Sequence, residues 1–157
     1  MQITAAVLER LGTPLRVRTL QSSTLLPGQV LVKVLFSGVC RSQLMETSGG
    51  RGDDRWLPHL LGHEGSGVVE AIGPGVSKVK PGDAVILTWI KGDGMDAPGA
   101  LYWDGDTQIN SGPVTTFSNY TVVAENRLVL KPTDLDFDTA VLFGCALPTG
   151  AGMALNE

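Results

Sequence analysis

Short segments in which hydrophobic and polar positions alternate run along most of the chain. The clearest is "QVLVKVLFSGV" (29–39), where Val32 and Phe36 fall on one face and Lys33 falls on the other. This two-residue period predicts a half-buried β-strand. Other segments of this kind are bounded by Gly, Pro, Asn or Asp turns. They predict strands at 3–8, 15–20, 65–73 and 83–90, and two more within 116–132 around the turn "ENR".

Few segments have the features of a helix. Residues 41–48 predict a short helix, and the Asp residues at the start of 134–143 predict a second one. The tail "GAGMALNE" (150–157) resembles the first turns of a third helix. Residues 91–115 are polar and rich in glycine without a clear period, which predicts a long loop. Many short strands joined by Gly/Pro turns favour a mainly β fold, an irregular barrel or sandwich with a few short helices.

Composition and charge narrow the class of protein. The chain has 157 residues, 43% of them hydrophobic, which suits one domain with a sizeable core. Its net charge is −4 and its basic residues are scattered, which argues against nucleic acid as a partner. The N-terminus does not resemble a secretory signal, and no apolar run approaches the roughly 18 residues of a membrane span. We therefore predict a soluble cytoplasmic protein with no membrane partner.

Three side chains capable of binding a metal lie in glycine-flanked turns. Cys40, His63 and Cys145 occur in "SGVCRSQ", "LLGHEGSG" and "LFGCALPTG". Zinc binds thiolate and imidazole, and two Cys with one His and an open fourth position is typical of catalytic zinc sites. The three residues are far apart in sequence, unlike the close CxxC pairs of structural zinc sites. Spacing alone therefore leaves open two buried free cysteines and a hydrogen-bonded histidine.

The segments around these residues carry a family resemblance. "GVCRSQ", "LLGHEGSGVVEAIGPGVSKVKPGDAV", "TFSNYTVVAENRLVLKP" and "LFGCALPTGAG" follow one another in this order. Together they resemble the catalytic domain of zinc-dependent alcohol dehydrogenases, within the medium-chain dehydrogenase/reductase superfamily. The two cysteines favour the zinc-dependent branch over the zinc-free quinone-reductase branch. The resemblance implies a GroES-like β-barrel over 1–132 and a helical segment over 133–157 that carries the third zinc ligand.

The resemblance also implies roles for residues near the proposed metal. Cys40, His63 and Cys145 match the ligands of one catalytic zinc ion. Glu64 matches a carboxylate that can approach the metal as an alternative ligand, although an ordinary supporting acid remains possible. Ser42 matches the hydroxyl residue that hydrogen-bonds the substrate oxygen and begins proton removal.

Other implied roles concern the cofactor and the substrate. Arg41 matches a position that contacts the cofactor pyrophosphate in some members, with a surface arginine as the alternative. Thr149 matches a residue that touches the nicotinamide of NAD or NADP. Trp89 falls where the family lines the substrate pocket, although a core aromatic is an equal alternative. The implied reaction interconverts a small-molecule alcohol and an aldehyde or ketone by hydride transfer, in a homo-oligomeric full-length enzyme.

Two positions near the ligands depart from the family pattern. Gln43 replaces an aspartate that supports the zinc-binding histidine, so the support is expected to come from an uncharged amide. Met45 stands where some members have a proton-relay histidine, so the proton from Ser42 needs another exit. His59 and His63 form H-x-x-x-H-E rather than the H-E-x-x-H of metalloproteases, and a structural role is expected for His59.

Two longer segments also depart from the pattern. Residues 91–115 lack the four cysteines of the family's structural zinc, so no structural zinc is expected, and a solvated acidic loop is favoured over a calcium site. No G-x-G-x-x-G fingerprint in a strand–turn–helix context occurs, so the Rossmann domain is expected to be absent. We therefore expect an expressed catalytic-domain fragment that is inactive alone. The alternative is a non-catalytic binding or assembly module with a co-chaperonin-like barrel.

Overall fold

Two five-stranded sheets form the body of the protein in the computed structural model, which describes residues 1–156. The strands are β1 (Gln2–Leu8), β2 (Arg16–Ser22), β3 (Gln29–Ser37), β4 (His59–Leu60), β5 (Gly65–Ile72), β6 (Ala84–Leu87), β7 (Tyr102–Asp104), β8 (Thr107–Ile109), β9 (Tyr120–Ala124) and β10 (Leu128–Leu130). The first sheet has the order β4-β1-β2-β7-β8 and the second has the order β10-β6-β5-β3-β9. All neighbours within the sheets pair antiparallel. The mainly β fold predicted from the alternating segments is confirmed.

Strand β3 separates two hydrophobic cores. Leu31 packs in the core around β1, β2 and β7, whereas Val30 and Val32 pack in the core around β5 and β6. The strand is therefore buried on both faces in its first half rather than on one face only. The predicted alternation ends at a register shift between Val34 and Phe36 against β5. Phe36, which the alternation places on the same face as Val32, is 47% exposed.

The helices are short and lie near the ends of strands. They are α1 (Arg41–Thr47), α2 (Phe137–Ala140) and α3 (Ala146–Asn156), with 3₁₀ turns at Glu125–Arg127 and Val141–Gly144. The predicted helix at 41–48 corresponds to α1, whereas the one predicted at 134–143 is divided between α2 and a 3₁₀ turn. Within residues 1–156 no single helix is long and apolar enough to cross a membrane; Phe137–Gly144 and Ala146–Asn156 reach that length only together, across a 52° bend.

The prediction that residues 91–115 form a long loop is wrong in its second half. Strands β7 and β8 form a hairpin in which Asp104 is paired with Thr107. The two-residue loop begins with Gly105 at a φ of 57°, a conformation that glycine adopts readily. Tyr102 and Ile109 anchor the hairpin in the core with 1% and 4% exposure. Three-residue strands are too short to show a period, although the Gly-Asp pair of the loop is a hairpin signal.

A buried carboxylate joins two loops of the second sheet. Glu125 is 1% exposed, and its Oε1 accepts the backbone N–H groups of Ser77 and Lys78, both at 2.6 Å. Its Oε2 accepts the N–H of Met95 at 2.6 Å. Burial by itself would raise the pKa of Glu125, but the three N–H donors outweigh it and hold the pKa below its usual value. The carboxylate therefore ties the turn before β6 to the segment after it.

Candidate metal centre

The first part of the site is built where β3 turns into α1. Cys40 is the N-cap residue of α1, with extended backbone angles of −86° and 149°. Ser42 and Gln43 follow in the first turn of the helix. His63 lies just before β5, and Cys145 lies between the second 3₁₀ turn and α3. Three separate segments of the chain therefore supply these side chains.

The fold brings Cys40, His63 and Cys145 together. Their ligand atoms all lie within 4.8 Å of one another. Zinc bonds of about 2.3 Å to sulfur and 2.0–2.1 Å to nitrogen place tetrahedral ligands about 3.5–3.8 Å apart. The donor types and their separation fit a zinc ion held by two thiolates and one imidazole.

Glycines in the two cysteine loops make room for Glu64. A Cβ on Gly38 would meet the Glu64 carboxylate at 2.5 Å. A Cβ on Gly144 would lie 2.4 Å from the Leu87 carbonyl oxygen and 2.7 Å from Glu64 Cβ. Glu64 is 4% exposed, and its Oε2 accepts the N–H of Ala146 at 3.2 Å. The carboxylate thus holds the Cys145 loop in place and lies outside the convergent group of ligand atoms.

The electrostatic surroundings differ between the two thiols. Hydrogen bonding from the hydroxyl of Ser42, and then from its backbone N–H, lowers the pKa of Cys40 and stabilises its thiolate. Burial raises the pKa of Cys145, and the nearby Cys40 and Glu64 raise it further. Burial lowers the pKa of His63, which favours the neutral imidazole that binds metals. A nearby cation would offset these effects and favour the Cys145 thiolate.

Gln43 occupies the position of the supporting carboxylate in the family pattern. Its Nε2 lies 2.5 Å from His63 Nδ1, while its buried Oε1 has no hydrogen-bond partner within residues 1–156. Turning the planar amide by half a rotation exchanges these two atoms. In that orientation the Gln43 amide oxygen accepts the Nδ1–H of His63. The imidazole Nε2 of His63 is then unprotonated and free for a metal. This orphaned oxygen agrees with a metal-binding role for His63.

A cavity of about 600 Å³ opens beside the three ligands. Ser42, His63, Trp89 and Cys145 line it, together with the segment Asn110–Thr115. Apart from its interaction with the Cys40 thiol, the buried Ser42 hydroxyl has no partner within residues 1–156, so its oxygen can accept a hydrogen bond from a ligand in the cavity. The ring of Trp89 is half exposed, and its centroid lies 6.1 Å from that of His63. Sequence reasoning missed the wall at Asn110–Thr115, because nothing local in that segment indicates where it packs.

The two residues assigned to the cofactor lie on the surface. Arg41 is exposed at the start of α1. Thr149 is exposed in the first turn of α3, and its Oγ1 lies 3.9 Å from Cys145 Sγ. Met45 is 44% exposed, so the side chain at the relay position reaches solvent. The cofactor roles of Arg41 and Thr149 remain predictions.

The acidic residues between 91 and 106 are dispersed. Asp96 pairs with Lys91 at 2.6 Å, and Asp104 lies 3.6 Å from Arg18. They contribute to neither of the two groups of possible metal ligands within residues 1–156.

Comparisons with known proteins place this chain in a family. Residues 26–133 match the family described as "Alcohol dehydrogenase GroES-like domain". The fold thus defines a GroES-like domain of the alcohol dehydrogenase type. The chain belongs to the alcohol dehydrogenase GroES-like domain family, which confirms the resemblance inferred from the motifs.

Individual relatives agree with this assignment. The chain is 31% identical to the class-3 alcohol dehydrogenase of Cereibacter sphaeroides, over 99% of this chain and 48% of that protein. A solved alcohol dehydrogenase zinc-binding domain protein from Burkholderia ambifaria superposes with a TM-score of 0.85 at 26% identity, over 99% of this chain and 49% of that one. Benzyl alcohol dehydrogenase from Acinetobacter calcoaceticus superposes with a TM-score of 0.81 at 28% identity, over 99% of this chain and 48% of that one. The chain spans about half the length of the curated relatives it matches.

Proposed function

We propose that this chain is the catalytic domain of a zinc-dependent alcohol dehydrogenase. The reaction interconverts an alcohol and an aldehyde or ketone by hydride transfer to or from NAD or NADP. The observation that carries the proposal is the convergence of Cys40, His63 and Cys145 within 4.8 Å, beside a cavity that His63 and Cys145 line. The family membership supports the same class of reaction. The solved relative from Burkholderia ambifaria is itself described as an alcohol dehydrogenase zinc-binding domain protein.

Each side chain then has a defined task. Cys40 and Cys145 hold the metal as thiolates, and His63 holds it through Nε2 while Gln43 fixes the ring from the other side. A bound zinc ion supplies Lewis acidity that lowers the pKa of an alcohol oxygen. The Ser42 hydroxyl accepts a hydrogen bond from the alcohol and takes its proton while releasing its own hydrogen to water, because Met45 cannot carry a proton. Trp89 bounds the space for the rest of the substrate.

Metal analysis of the purified chain tests the proposal. After expression with added zinc and removal of free metal, we expect about one tightly held zinc per chain that depends on the thiolates. Cys40→Ala should lose this ion. Val39→Ala is the matched control, because Val39 precedes Cys40 and is 71% exposed. Cobalt substitution gives a second readout, since thiolate-to-cobalt charge-transfer absorption should appear in Val39→Ala and disappear in Cys40→Ala.

Two results would contradict the proposal. One is zinc content that is the same in Cys40→Ala and Val39→Ala. The other is the absence of thiolate-to-cobalt absorption in the wild-type chain. Either result would favour a zinc-free reductase-type domain in which the cysteines are incidental.

A further inference from the structure

A second group of side chains converges on the wall of the same cavity. Glu46 lies in the last turn of α1, Asp54 lies in the loop that follows, and His59 begins β4. His59 Nε2 is 2.9 Å from Asp54 Oδ2 and 3.8 Å from Glu46 Oε1. The three inner atoms all lie within 4.8 Å of one another. Glu46 and His59 both line the cavity, so the group is reachable from it.

Hydrogen-bond acceptors face both ring nitrogens of His59. Its Nδ1 lies 2.9 Å from the carbonyl oxygen of Leu60, and its Nε2 faces the carboxylates of Asp54 and Glu46. All of these oxygens only accept hydrogen bonds. A neutral imidazole has only one N–H, so one of the two ring nitrogens would face acceptors with a bare lone pair. A proton or a metal ion at Nε2 resolves this conflict.

Each of the two carboxylates is oriented by a partner on its outer oxygen. Asp54 Oδ1 accepts the backbone N–H of Trp56 at 2.8 Å, and Glu46 Oε2 lies 3.9 Å from the guanidinium of Arg51. The Leu60 carbonyl does the same for the outer nitrogen of His59. In metal sites, a His or carboxylate ligand usually binds the metal through one polar atom and makes a hydrogen bond or ion pair through its other polar atom. The three side chains of this group follow that arrangement.

We propose that Glu46, Asp54 and His59 form a second, thiolate-free site for a divalent transition-metal ion. Bonds of about 2.0–2.2 Å to nitrogen and oxygen separate neighbouring ligand atoms by about 3.0–3.4 Å, a range that the observed 2.9 and 3.8 Å bracket. Two carboxylates with one imidazole suit Mn²⁺ or Zn²⁺. The side chains are 8% exposed for His59, 14% for Asp54 and 26% for Glu46, which leaves the cavity side open for water or a ligand oxygen.

Titration with Mn²⁺ tests this site separately from the cysteine site, because Mn²⁺ prefers oxygen ligands to thiolates. The free Mn²⁺ signal in electron paramagnetic resonance reports binding to the metal-free 157-residue chain. We expect the wild-type chain to bind one Mn²⁺. The Mn²⁺ affinity of Asp54→Asn and of His59→Gln should be lower than that of the wild type by about tenfold or more. Asp53→Asn is the matched control, because Asp53 is adjacent and exposed, and it should bind as the wild type does. Cys40→Ala should also bind Mn²⁺ normally, which separates this proposal from the zinc proposal.

Three outcomes would overturn the second site. The wild-type chain could fail to take up one Mn²⁺, a result that needs no variant and does not depend on how the variants fold. Asp54→Asn and Asp53→Asn could bind Mn²⁺ equally. Finally, nuclear magnetic resonance of the His59 ring could show both nitrogens protonated and unchanged by Mn²⁺ or Zn²⁺, which would identify the group as an ion pair only.

Discussion

The amide of Gln43 offers a sharp test of the metal centre. Its side chain is 5% exposed and contacts His63 Nδ1 at 2.5 Å, on the side of the ring opposite the nitrogen that would bind zinc. Gln43→Ala removes this contact while leaving all three ligands in place. The imidazole then loses the partner that sets its tautomer and orientation. We therefore expect the variant to fold and to bind zinc more weakly.

The size of the effect follows from the loss of one buried partner of a metal ligand. Removing such a partner typically costs about 10–100-fold in metal affinity, or about 1.4–2.7 kcal/mol. Competition against a chromophoric zinc chelator at neutral pH measures the affinity directly. Gln43→Glu keeps an acceptor at Nδ1 and adds a negative charge, so it should bind zinc at least as tightly as the wild type.

A matched control lies next to Gln43 on α1. Leu44→Ala alters a side chain that is 60% exposed and should leave zinc affinity unchanged. Circular dichroism of each variant checks that the fold is retained. Equal zinc affinity in Gln43→Ala and Leu44→Ala would refute the idea that the amide supports His63, and so would a weakened Gln43→Glu.

Three further predictions concern the framework around the site. Glu125→Gln should lower the free energy of unfolding by about 1–3 kcal/mol in urea titrations, because the new amide N–H faces the backbone N–H of Met95 and neither can accept a hydrogen bond. Glu70→Gln is the control and should have no effect, because Glu70 is exposed. Because the folded-state pKa of Glu125 lies below its ordinary value of 4.5, its stabilising contribution is full above that pH and is lost as the pH falls through the folded pKa. The difference in urea midpoint between wild type and Glu125→Gln should therefore shrink in acid, and a constant difference would argue against this origin. Gly144→Ala should lower the free energy of unfolding by about 1–3 kcal/mol, because the added methyl group overpacks the site. Gly150 in α3 has open space around it, so Gly150→Ala should leave stability unchanged or raise it. Equal melting temperatures of the two variants would contradict the packing argument.

Much of the fold follows from local sequence pattern. The strand predicted at 29–39 is β3 (Gln29–Ser37), and the helix predicted at 41–48 is α1 (Arg41–Thr47). These segments have a clear period or a clear boundary residue, so their local preferences agree with the final structure. The hairpin at 102–109 was missed because each of its strands has only three residues.

The site is less accessible to such reasoning. Spacing alone left Cys40, His63 and Cys145 as one of two interpretations, and the family resemblance linked them. The group around His59 joins a helix, a loop and a strand, and no local pattern shows that these three elements meet. The role of Glu64 in holding the Cys145 loop likewise depends on how distant glycines pack against it.

The position of β3 between the two cores has a consequence for how the domain unfolds. Leu31 contributes to one core and Val30 and Val32 contribute to the other, so neither core can open fully while the other stays intact. The domain should therefore lose its structure in one cooperative transition rather than sheet by sheet. In hydrogen exchange, the amides in the first half of β3 should be among the slowest, exchanging only when the whole domain opens. Faster exchange there than in β1 and β6 would show that the two cores come apart independently.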